Sequence, residues 1–85
     1  MNIDIRFFAS LREAVGTSHE RVELPDHVTT VGELQQWLAG RGEVWMQALA
    51  PDRAVRSALD HALVGPEADL HEGAEVAFFP PVTGG

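Results

Sequence analysis

The residues best suited to act on another molecule stand last in the sequence: Pro80, Pro81, Val82, Thr83, Gly84 and Gly85. Proline fixes φ, so the diproline stiffens the chain where it leaves the preceding apolar run. The four residues beyond it reach roughly 13 Å when extended. Glycine at 84 and 85 removes every Cβ, which lets the main chain enter a passage too narrow for any other residue. Such an ending suits a main-chain carboxylate at Gly85 offered as a reagent to a different protein, with Thr83 and Gly84 threading behind it.

The side chains offer less. His19, His27, His61 and His71 have no metal-ligand spacing and sit beside turns or on polar strand positions. They read as solvated surface histidines. Ser10 and Thr30 have helix-capping contexts and make poor nucleophiles. Glu72 and Glu75 read as a solvated acidic edge. Gly40-Arg41-Gly42 lacks the strand-before, helix-after setting of a phosphate loop. With no cysteine in the chain, disulfides, thiolate metal sites and a Cys nucleophile are excluded. As an autonomous enzyme the sequence is a poor candidate.

At 85 residues the chain predicts one domain, 1–85, with a flexible tail over 80–85. Thirteen acids against six bases, all arginine, give a net charge of −7. Nucleic acid and anionic membranes are disfavoured as partners, and a partner with a basic surface is favoured. The N-terminus does not resemble a signal peptide, and no apolar stretch approaches the ~20 residues of a membrane span. A soluble, cytoplasmic protein is expected.

The elements that must hold the tail follow from local patterns. Ile3, Ile5 and Phe7 alternate with Asp4, Arg6 and Phe8, a strand with one buried face. Ser10 and Glu13 have capping-box spacing, which predicts a short helix ended by Gly16. Residues 19–24 read as a return strand. Thr30 and Glu33 form a second capping box before Val31, Leu34, Trp37 and Leu38, one face of the main helix. Val44, Trp45, Ala48 and Leu49 predict a shorter helix, and Pro51-Asp52 a turn. Two apolar runs, 54–59 and 62–64, flank a hairpin turn at Asp60-His61. Residues 75–79 form the last strand, with Val76 and Phe78 inward. The order predicts an α+β domain, a mixed sheet crossed by one main helix, with short extra helices.

The ending Glu75-Val76-Ala77-Phe78-Phe79-Pro80-Pro81-Val82-Thr83-Gly84-Gly85 resembles the small subunits of molybdopterin synthase, a ubiquitin-like sulfur-carrier family. The opening, Ile5-Arg6-Phe7-Phe8-Ala9-Ser10-Leu11-Arg12-Glu13 with Gly16-Thr17, is similar to the same family. The resemblance implies the β-grasp fold. The turn Leu59-Asp60-His61 departs from the apolar-Asn turn common there, although Asp is also a turn former.

The resemblance implies a chemistry as well. A ubiquitin-activating-like adenylyltransferase would use ATP to convert the Gly85 carboxylate to an acyl-adenylate, and persulfide sulfur would replace the AMP. The product would be a C-terminal thiocarboxylate (1-thioglycine), whose ionised sulfur is a competent nucleophile. The large catalytic subunit of the synthase would receive the tail and transfer sulfur to a cyclic pyranopterin phosphate. No cofactor is expected on the carrier itself. Strand parity puts Phe8 and Phe79 beside Ala77 on the sheet face opposite the helix, an expected docking surface. The family's contact pattern adds Arg12, Leu63 and Pro80. Two alternatives remain open from the sequence: a carrier for thiazole, cysteine or tRNA thiolation, and a ubiquitin-like modifier or interaction module.

Overall fold

The alternation near the N-terminus becomes strand β1, Asn2–Phe7, whose inward side chains Ile3, Ile5 and Phe7 are completely buried. Burying each contributes about 1.5–3 kcal/mol. The computed structural model describes residues 1–50 and 53–81. The expected turn at Pro51-Asp52 and the tail residues Val82, Thr83, Gly84 and Gly85 lie outside the described residues.

Beyond β1 the chain forms α1 (Ala9–Val15), β2 (His19–Glu23), α2 (Val31–Ala39), α3 (Glu43–Leu49), β3 (Arg56–Leu59), β4 (Ala62–Val64) and β5 (Glu75–Phe79). The strand order is β2-β1-β5-β3-β4. β1 and β5 lie parallel at the centre, and the other pairs are antiparallel. On one face Val31, Leu34 and Leu38 of α2 share a core with Ile3, Ile5, Val22, Val76 and Phe78. This is the expected β-grasp arrangement.

The expected capping box at Thr30 is complete. Glu33 N–H donates to Thr30 Oγ1 at 3.2 Å, and Thr30 N–H donates to Glu33 Oε1 at 3.1 Å. Close packing beside it needs a glycine: a Cβ on Gly32 would come within 2.9 Å of Pro66 Cβ. The capping box expected at Ser10 does not form. The N-cap of α1 is Phe8, with no side-chain cap bond, and Ser10 already lies inside the helix. The sheet ladder decides this start, since Phe8 N–H donates to the Phe78 carbonyl at 3.1 Å. Ala9 then takes φ 53° to turn strand into helix, a left-handed conformation costly for a residue with a Cβ. Gly16 ends α1 in the left-handed region as expected, its N–H donating to the Arg12 carbonyl at 3.0 Å.

Two further details come from the structure. Of Val44, Trp45, Ala48 and Leu49, whose spacing predicts the short helix, Val44 is exposed while Leu49 is fully buried. Short α3 presents Trp45 and Leu49 inward and leaves Val44 at the margin of its apolar stripe. The third strand starts at Arg56 rather than at Ala54. Its turn to β4 places Asp60 at φ 49° and His61 at φ 73°, the pair of positive φ values that a two-residue hairpin loop requires.

Candidate functional site

Each inward side chain of the sheet forces its neighbours outward. Across β4, β3, β5, β1 and β2 one outward row runs Leu63, Ala58, Ala77, Arg6, His19 in register. The next row, toward the exit of β5, pairs Arg56 with Phe79. Phe8 continues the alternation of β1 in extended backbone, φ −122° and ψ 154°. It directly follows Phe7, the register partner of Phe78.

The structure therefore gathers Phe8, Leu63, Ala77 and Phe79 on one face, with Pro80 at its border. Phe8 is 46% exposed and Leu63 71%, whereas Ala77, Phe79 and Pro80 are half-buried. Exposed Arg12 stands at the margin. Its N–H approaches the Phe8 carbonyl at 3.4 Å. Thr83, Gly84 and Gly85 lie outside the described residues. Two outward residues of β3, Ala58 and Arg56, belong to the face and were missed. The alternation inside the run 54–59, with Ser57 buried between them, was the signal that could have found them.

At the opposite end of the strands the same face is charged. Arg6 Nε lies 3.2 Å from Glu75 Oε1, and Arg21 Nε 3.2 Å from Asp4 Oδ1. His19 and His61 approach Asp4 and Glu75 at 3.5 and 3.6 Å. Exposed pairs of this kind contribute about 0–1 kcal/mol and mainly set local charge balance. Outward strand positions carry three arginines (Arg6, Arg21, Arg56) and three acids (Asp4, Glu23, Glu75). The face is thus neutral in a chain of net charge −7.

His71, Asp60 and Glu72 are more engaged than a solvated reading implies. His71 Nε2 bonds Asp60 Oδ2 at 2.5 Å, and Asp60 Oδ1 accepts from Glu75 N–H at 3.0 Å. The Glu75 N–H and then His71 hold the Asp60 carboxyl below its ordinary range, while Asp60 raises His71. Glu72 accepts from the N–H and Nδ2 of Asn2 and is held low by them.

Among the described residues no three His, Asp or Glu side chains gather as metal ligands. Two clefts of about 510 and 580 Å³ are lined by no His, Asp or Glu. No described helix is long and apolar enough to cross a membrane. What the outward face offers is exposed apolar area beside the root of residues 82–85, the kind of patch that interaction sites are built on.

Comparison with known proteins agrees with this geometry. The sequence matches the model of the ThiS family over residues 5–85. It is 42% identical over 83 residues to the molybdopterin synthase sulfur carrier subunit of Escherichia coli (strain K12), covering 98% of this chain and 99% of that protein. The protein of that name from Haemophilus influenzae (strain ATCC 51907 / DSM 11121 / KW20 / Rd) is 35% identical with the same coverage. Among solved structures, SAMP1 from Haloferax volcanii superposes with a TM-score of 0.82 at 26% identity, over 100% of both chains. With a family match from Ile5 to Gly85 on a β-grasp sheet, this chain belongs to the ThiS family.

Proposed function

We propose that this chain is the sulfur carrier subunit of a molybdopterin synthase, docking through the Phe8–Phe79 face on the large catalytic subunit. One observation carries the reading. Phe79 is the last residue of central strand β5 and Pro80 follows it, so the docking patch and the root of the sulfur-bearing segment are contiguous. Docking there would aim that segment at the partner. The names of the two relatives at 42% and 35% identity support the pathway.

In this reading Gly85 carries the reactive group and Thr83 and Gly84 thread it. A ubiquitin-activating-like adenylyltransferase supplies ATP, whose α-phosphorus the carboxylate attacks with loss of pyrophosphate. Persulfide sulfur then displaces AMP from the acyl carbon, and a thiol reductant cleaves the remaining S–S bond to free the thiocarboxylate. Its anionic sulfur adds to a cyclic pyranopterin phosphate held by the large subunit. Hydrolysis returns the carboxylate, and repeated delivery builds a dithiolene. The reading places the chain in the cytoplasm.

The test is the intact mass of the protein purified from its own host, followed by assay with the large subunit and the cyclic pyranopterin phosphate. A gain of about 16 Da, oxygen to sulfur, with dithiolene formation is expected. Adducts to lysines of other proteins without sulfur gain would overturn the reading in favour of a modifier.

A further inference from the structure

The charges of the docking face are sorted along its strands. Its acids lie at the end away from Phe79, where Asp4 is held by Arg21 and His19, and Glu75 by Arg6 and His61. The aromatic end is different. Arg56 is exposed directly across from Phe79. Arg12 is exposed in α1, its backbone N–H 3.4 Å from the Phe8 carbonyl. Among the described residues neither guanidinium has a carboxylate partner, while Arg6, Arg21 and Arg41 each have one.

We infer that Arg56 is a specificity-determining residue of the docking face. It recognises a partner surface whose recess for Phe8, Phe79 and Leu63 is rimmed by carboxylates. The inference rests on the docking reading above and adds the chemistry of the partner. It also reverses, for this patch, the preference for a basic partner that the net charge of −7 implies. A local field reaches only about one Debye length, ~8 Å at physiological salt. At the patch the outward strand position paired with Phe79 is therefore Arg56, and the acids of the face stand at its far end. A guanidinium presents a planar fork that matches a carboxylate with two parallel bonds. Beside an apolar anchor, such a bond forms at the rim as the phenylalanines lose water. Rim charges act mainly on the association rate and on its dependence on salt.

The experiment measures association of the full chain with the large subunit from the same host, from about 50 to about 500 mM salt. The wild-type rate is expected to fall with salt. Arg56→Glu should associate about tenfold more slowly at low salt, with a flattened salt dependence, and Arg56→Lys should retain most of the rate. Thermal unfolding checks that each variant is folded, and Arg56→Gln replaces the glutamate variant if that one is not. An Arg56→Glu or Arg56→Gln protein with the wild-type rate and salt dependence would overturn the inference. If wild type binds and Phe79→Ala weakens binding, that result would leave the docking reading intact. If wild type does not bind the large subunit, both fail together.

Discussion

Phe7 of β1 and Phe78 of β5 lie in register across the parallel pair, with ring centroids 6.2 Å apart and ring planes 21° from parallel. The rings of Trp45 in α3 and Phe7 form a T-shaped pair, centroids 5.6 Å apart and planes 68° from parallel. This buried stack decides the orientation of the residues that follow each of its members. Phe8 and Phe79 must face the other way, and the exposed apolar patch is the reverse side of the core.

Adjacent phenylalanines should therefore separate stability from binding. Phe78→Ala is expected to cost about 3–5 kcal/mol, because its fully buried ring leaves a cavity. Phe79→Ala should cost about 1 kcal/mol or less in folding and weaken binding to the large subunit about tenfold or more. Urea denaturation and a binding titration on both variants check this. Equal losses of stability would mean that the patch belongs to the core.

The two candidate caps make opposite predictions. Thr30→Ala removes the acceptor for Glu33 N–H and should cost about 1 kcal/mol. Ser10→Ala removes no cap bond and should stay within about 0.5 kcal/mol of wild type. Denaturation midpoints for the two variants, measured side by side, give the answer.

Stability should depend on pH through the pair joining Asp60 to His71. His71 is raised, chiefly by the bond from Asp60, so its contribution is complete below the ordinary imidazole pKa and disappears as pH rises through the higher folded value. Asp60 is lowered, first by Glu75 N–H and then by His71. Its contribution is present above the ordinary carboxylate range and is lost as pH falls through the depressed value. His61 and Glu75 face the same cluster. The melting-temperature difference between wild type and His71→Gln should thus be largest at about pH 4.5–6.5 and shrink on either side. A difference that does not change with pH would contradict this pairing.

Removing Gly85 tests the chemical end of the proposal apart from the fold. Among the described residues the buried core lies between Ile3 and Phe78, so the melting temperature of the shortened chain should match wild type. Sulfur transfer in the reconstituted synthase should be abolished. Retained transfer would show that the reactive group resides elsewhere.

The sequence alone determined the features that depend on neighbours in the chain. Alternation at Ile3, Ile5 and Phe7 and at Val76 and Phe78 announced two strands, and Thr30 with Glu33 announced the main helix. The Asp60-His61 turn and the left-handed stop at Gly16 were legible for the same reason, because backbone geometry there is set by a few adjacent residues. The family was legible from the closing residues, through their resemblance to its members. Features that needed distant segments in register were not legible. The Ser10 box fits the local rule but loses to a ladder bond between Phe8 and Phe78, seventy residues apart. Arg56 beside Phe79, Leu63 in line with Ala77, and His71 bonded to Asp60 exist only because β5 inserts between β1 and β3. Strand order is a property of the packed core, where burying the Phe7–Phe78 stack outweighs local preference, and it alone decided which outward side chains share a surface.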